Sequence, residues 1–243
     1  YYFNEWVGYL LLRPSNIMLA LKQALSLVST KVGGGASWSP TDESSLEAWY
    51  KFKVGITLNG SAVSDWADSS SKGRDMVQAD EPEQPTYSAG TLTFDASNGT
   101  NLQTTSQISV SSDFTLGIKM NPSSTNGTFV ADNTTANELF KISASDSITI
   151  KVDGNTVVLS TDGGAAIGDD YIVLSRASNV FTMYRNGVAQ GSPQTLAGTI
   201  DIDAIGIRRT DVNGFSGDIK EVQIYSSSDS ILTSRINARL STL

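Results

Sequence analysis

Cysteine and histidine are both absent from this 243-residue chain. Without thiols there is no disulfide framework, no cysteine nucleophile and no thiolate metal site. Without imidazole, the Ser-His-Asp triad, a histidine general base and every histidine-centred metal motif are excluded. Any bound cation would be a hard one on oxygen ligands, such as calcium. Positive charge is scarce as well: 17 Lys and Arg stand against 25 Asp and Glu, a formal charge of −8. That balance argues against nucleic-acid wrapping, which needs clustered Lys and Arg. The pair Arg208 and Arg209 in "IRRTD" reads as solvated charge at a strand end. No uncharged apolar run reaches the ~18 residues of a membrane span, because Arg13, Pro14 and Lys22 interrupt the closest approach. The opening "YYFNEWVG" carries Glu5 and no basic region, so no export signal is read. Tyr1 in place of an initiator methionine means that the start was processed or was not included.

What is present divides into parts of unequal size. Residues 1–32 are dense in Leu, Ile and Met, with Gly8 their one glycine. After Pro14 the spacing predicts a helix, with Ser15 or Asn16 as cap and Ile17, Leu21, Ala24, Leu25 and Val28 on one stripe. Leu19 and Leu27 fall off that stripe. A short helix apolar on more than one side needs cover from several directions, so residues 1–32 read as an anchoring or assembly arm. Its candidate interface is Trp6, Tyr9, Leu12, Ile17, Leu21, Leu25 and Val28. Docking on the chain's own core is the alternative, and Lys22 and Lys31 supply little charge for a membrane-surface role. Burying about six large apolar side chains there would supply on the order of 10 kcal/mol before ordering costs. "VGGGASWSP" then makes residues 33–45 a hinge.

From Leu46 onward the pattern changes to period two, in short runs of Ile, Val, Leu and Phe separated by Ser, Thr, Asn and many of the 21 glycines. "LEAWYKFK" sends Leu46, Ala48, Tyr50 and Phe52 to one side, and "DFTLGIKMN" does the same with Phe114, Leu116, Ile118 and Met120. Asp153-Gly154 and Asn186-Gly187 supply the positive φ that tight hairpin turns require. Further strands fit "LTF", "NLQTT", "ELFKISA", "DIDAIGIR" and "DIKEVQIY". The fold class is therefore all-β, an antiparallel two-sheet sandwich over residues 46–243 preceded by a hydrophobic, partly helical N-terminal arm.

The closing stretch "FSGDIKEVQIYSSSDSILTSRINARL" resembles the terminal signature of laminin G-like, concanavalin A-like jelly-roll domains. In that signature a glycine precedes an acidic-hydrophobic strand ending in Ile-Tyr, and a short helix follows. Gly217 would permit close approach, Ile219, Val222 and Ile224 would pack, and Ser228 or Asp229 would cap the last turn. "DWADSSSKGRDM" and "FTMYRNGVAQ" resemble the family's Asp-rich turn and its Tyr-x-Asn-Gly-Val hairpin, with Ser71 and Lys72 departing from the usual pattern. The apolar leading segment, its glycine-rich join and "GDDYIVLSRASNVFTMYRNGVAQ" are similar to laminin G-like virion proteins of phages that infect marine cyanobacteria. That resemblance implies a structural role on a particle surface, in capsid decoration or on the tail.

Candidate chemistry is sparse. Jelly-roll glycosidases carry paired carboxylates on one strand face. "DID" places Asp201 and Asp203 on one side, but no glutamate follows at the needed offset, and Glu81 and Glu83 in "EPE" fall in a loop. Both pairs read as solvated charges, no catalytic residue is assigned, and the expected protein is not an enzyme. No cofactor is implied. Calcium stays open, with Asp132 and Asn133, Asp162, Asp169 and Asp170, Asp211 and Asp218 eligible by chemistry but without diagnostic spacing. Trp66, Tyr87, Tyr184 and Tyr225 are the aromatics available for stacking on a sugar, although alternation turns several of them inward. Two functions follow as expectations. One is a non-enzymatic phage virion protein at the virion surface, assembled in the host cytoplasm, present in many copies and partnered by other capsid or tail proteins. The other is an adhesion module that binds cell-surface glycan.

Overall fold

Glycine and Asx turns cut the chain into short antiparallel strands in the computed structural model, which describes residues 38–208 and 213–243. The seven arm residues Trp6, Tyr9, Leu12, Ile17, Leu21, Leu25 and Val28, together with Arg209 and Asp211, lie outside the described residues. In chain order come β1 (Leu46–Tyr50), β2 (Ile56–Asn59), β3 (Ala62–Trp66), β4 (Met76–Val77), β5 (Thr86–Ser88) and β6 (Thr91–Phe94). They lead to β7 (Leu102–Val110), β8 (Phe114–Pro122), β9 (Gly127–Ala131), β10 (Leu139–Ala144), β11 (Ser147–Val152) and β12 (Asn155–Ser160). The last five are β13 (Asp170–Ala177), β14 (Val180–Arg185), β15 (Val188–Thr195), β16 (Ile200–Ile205) and β17 (Gly217–Tyr225), and a helix (Ser230–Leu240) closes the chain. Both predicted tight turns form, with φ of 47° and 80° at Asp153-Gly154 and of 51° and 81° at Asn186-Gly187.

Strand pairing runs unbroken from β15 through β14, β13, β8, β17, β6, β5, β3, β4, β7, β16, β9, β10 and β11 to β12. β1 adds to β17 and β2 to β3. The result is a nearly closed, barrel-like sandwich, the all-β fold expected of the sequence. Its two layers meet over one apolar core, where Phe114 of β8 stacks on Phe140 of β10 with ring centroids 5.6 Å apart. β12 and β15 complete the circuit without a strand ladder: Asp162 donates its N–H to Gln190 Oε1 (3.0 Å) and accepts from Gly191 N–H at Oδ1 (2.9 Å).

The closing segment behaves as its signature implies. A Cβ on Gly217 would meet Asn121 O at 2.5 Å, so the glycine is needed for close approach to β8. A register shift between Ile219 and Glu221 reverses the alternation, which is why Ile219, Val222 and Ile224 all reach the core. Glu221, Gln223 and Tyr225 are thereby buried elsewhere on the strand. Asp229 caps the helix through Ile231 N–H (2.6 Å), and Leu232, Thr233, Ile236 and Leu240 are its buried residues. The helix lies so close to the sheet that a Cβ at Gly117 would meet Ile236 Cγ2 at 2.4 Å. Arg239 reaches down to Glu221 with a two-pronged grip (2.6 and 2.7 Å), and Trp49 Nε1 donates to the same carboxylate (3.0 Å).

The first core strand is shorter than its alternation suggests. Pairing stops at Tyr50, Lys53 turns to φ 60°, and Phe52 N–H is drawn to Glu221 Oε2 (3.1 Å). Residues before Leu46 also carry structure: Ser39 caps a 3-10 turn over Pro40–Asp42, with the Asp42 side chain accepting from Ser39 N–H (2.8 Å). Among the described residues no helix is long and apolar enough to cross a membrane.

Candidate functional site

The β5–β6 hairpin contributes to a spacious cleft with many polar lining residues. Leu92 and Phe94 alternate into the core, which turns Thr93 and its cross-strand partner Thr86 the other way. Both threonines line a cleft of about 510 Å³, within the range of small-molecule sites. One wall is the 3-10 turn Glu81–Glu83 and the following Gln84. Another is the turn Ala96–Asn98, capped by Asp95, with Thr100 behind it. Asp95 accepts from Ser97 Oγ (2.7 Å), Ser97 N–H (2.9 Å) and Asn98 Nδ2 (3.0 Å). These bonds, the Ser97 side chain foremost, hold its carboxyl below the usual range. Gln84 is only 5% exposed; its Nε2 donates to Gln78 O (2.7 Å) and its Oε1 has no partner.

Glu83 corrects the reading of "EPE" as two solvated charges. Its carboxylate accepts from Gln78 Nε2 (3.0 Å) and from the buried Asn101 (3.3 Å), and so fixes the wall of the cleft. Glu81 alone is exposed.

A second feature is a carboxylate cluster that the sequence displays only in pieces. Asp203 on β16 is buried and lies within hydrogen-bonding reach of Asp132, at the end of β9. Glu138 joins through Thr135, whose hydroxyl is shared with Asp132 (3.1 and 2.9 Å). Asn133 N–H donates to Asp203 (2.6 Å), and Thr134 donates to Asp132 through both N–H and hydroxyl (2.7 and 2.6 Å). Burial, then the neighbouring Asp132 and Asp201, push the Asp203 carboxyl up to about 6 despite the Asn133 bond. Burial raises Glu138 as well. The reading of "DID" as solvated charge therefore fails at Asp203: β9–β16 pairing brings the loop acids to it from some seventy residues away. The glutamate missing from the strand arrives as Glu138, and no local spacing could have announced it.

A third, smaller groove of about 200 Å³ lies among Asn121, Asp169, Asp218 and Lys220. Asp169 pairs with Lys119 (2.7 Å), and Asp218 accepts from Thr93 (2.7 Å). The candidate calcium ligands thus scatter. Asp162 clasps the β12–β15 seam, Asp170 is held by Arg185 (2.8 Å), and no group of three acidic side chains among the described residues is disposed to hold one metal ion. Of the aromatics considered for stacking, Trp66 and Tyr225 are fully buried and Tyr87 packs on the core edge; Tyr184 is half-buried. Trp66 belongs to the main core, and Tyr225 is buried outside it, where its hydroxyl donates to Gln223 Oε1 (2.7 Å).

A family model described as the concanavalin A-like lectin/glucanases superfamily matches residues 94–230, more than half of the chain. The chain belongs to that superfamily. The laminin G-like resemblance read from the terminal signature is borne out over this span. Among solved structures, a Trypanosoma rangeli sialidase in complex with sialic acid superposes with a TM-score of 0.57 at 13% identity, over 93% of this chain and 38% of the sialidase. The chain therefore spans well under half of that relative's length. Domain 4 of AbnA, a GH43 extracellular arabinanase from Geobacillus stearothermophilus, in complex with arabinotriose, superposes at 0.55 and 16% identity, over 79% of this chain and 97% of that one. At these identities the likeness is one of superfamily fold. No curated protein sequence matches significantly.

Proposed function

We propose that the sandwich is a non-enzymatic saccharide-binding module displayed in many copies on a phage particle, with residues 1–32 joining it to capsid or tail. The observation that carries the binding half is the preformed cleft beside β5–β6, whose wall holds a buried amide oxygen without a partner. Its lining of Thr86, Thr93, Asn98, Glu81 and Asp95 suits a ligand rich in hydroxyls. The arabinotriose bound by domain 4 of AbnA, nearly all of which this fold covers, supports that reading. The particle half rests on the resemblance of the leading segment and its join to laminin G-like virion proteins.

The acidic cluster supports the non-enzymatic part of this reading. Glycosidases hold their two carboxyls about 5 Å or more apart, with room for sugar or water between them. Asp132 and Asp203 instead lie within hydrogen-bonding reach of each other, with Thr134, Thr135 and Asn133 bonded to their oxygens. A glycan array probed with the full chain tests the binding half, and release of reducing ends from the bound glycans tests the absence of catalysis. Immunogold labelling of intact particles tests the display half. Binding without particle labelling would leave the adhesion module alone.

A further inference from the structure

We propose that the β5–β6 cleft selects uncharged saccharides and turns away sialic and uronic acids; this rests on the saccharide-binding reading above. Glu81 and Asp95 line the cleft, and no lysine or arginine does. The Asp95 carboxylate is stabilised in its ionised form by Ser97 and Asn98, so the negative charge persists under ordinary conditions. A bound carboxylate would meet like charge with no cation to offset it.

The hydrogen-bonding inventory points the same way. Gln84 gives one Nε2 hydrogen to Gln78 O and keeps Oε1 unpaired; the opposite amide orientation would set that oxygen against the Gln78 carbonyl. Thr93 has given its hydroxyl proton to Asp218, and Asn98 donates its Nδ2 to Asp95. Acceptors open to a ligand in the wall include the Thr93 lone pairs and the Glu81 carboxylate. Sugar hydroxyls donate to such groups, whereas a ligand carboxylate can only accept. No aromatic ring lines the cleft, so a single site holds sugar weakly, and many copies on one surface supply the avidity.

The test is a saturation-transfer NMR titration of the full chain with lactose and arabinotriose against sialyllactose and a galacturonic acid trisaccharide. The neutral sugars bind, and the acidic ones bind at least about tenfold more weakly. Thr93→Val, at an exposed lining position, weakens lactose binding by about fivefold or more, while Glu81→Lys, also at an exposed position, narrows the gap between lactose and sialyllactose. Equal binding of neutral and acidic sugars overturns the selectivity and leaves the binding reading standing. Binding of none overturns both. Neutral binding untouched by either substitution places the site elsewhere and overturns the assignment to this cleft.

Discussion

Replacing Asp203 by Asn isolates one buried carboxyl in a pH titration of stability. The carboxyl is held near 6 in the folded chain against an ordinary 3.8, first by burial and then by Asp132 and Asp201. At about pH 3 and below it is mostly protonated whether the chain is folded or not. As pH rises from there, the unfolded chain releases its proton first, so native stability falls, and the full deficit is reached above about pH 6. The gap between the two values corresponds to about 3 kcal/mol. Asparagine is neutral throughout, keeps an oxygen for the Asn133 N–H and offers its own N–H to Asp132. The variant should therefore match the parent near about pH 3 and exceed it by up to about 3 kcal/mol near about pH 8, or roughly 6–12 °C in melting temperature. Urea unfolding followed by tryptophan fluorescence reads this difference, and subtraction removes every other titrating group. A constant offset across the pH range, or a variant less stable than the parent near pH ~8, would refute the reasoning.

Three further outcomes follow from buried contacts. Arg239→Ala leaves Glu221 charged and fully buried without its guanidinium; a loss of about 3 kcal/mol is expected in urea unfolding, and a loss under about 1 kcal/mol would show that Trp49 and Gln223 suffice. Gly117→Ala drives a methyl into Ile236 and should cost about 1–3 kcal/mol; adding Ile236→Ala should make the glycine substitution nearly neutral, which a double-mutant cycle measures. At Asp170, burial pushes the carboxyl up, but Gly168 N–H, Asn186 and Arg185 outweigh it and hold it low. Its contribution is present above the carboxylate range and is lost as pH falls through it, so Asp170→Asn should lose about 2 kcal/mol near neutrality and progressively less in acid.

Much of the fold was legible because its signals are local. Asp153-Gly154 and Asn186-Gly187 dictate their turns, and Phe114 to Met120 alternate as the buried strand β8 requires. β2 to β5 escaped notice because they are short and do not alternate between buried and exposed, as the three consecutive exposed residues Thr57, Leu58 and Asn59 of β2 illustrate. The phase reversal at Ile219/Glu221 is equally silent in sequence, since a bulge answers to the neighbouring strand. The site was harder still. Gln84 and Thr93 carry no motif and gain meaning only when two turns and a hairpin converge on them. Asp203 and Glu138 stand far apart in the chain, so their mutual influence is a property of tertiary pairing.

The seam between β12 and β15 bears on crowding. Two strand margins lie side by side there, fastened by Asp162 to Gln190 and Gly191. Each margin lies against the other, so at this seam a neighbouring molecule finds no long open edge to pair with, whereas β2, joined to β3 alone among the described strands, keeps one margin free. When stressed, a body latched in this way parts readily at a seam fastened by side chains in place of a backbone ladder.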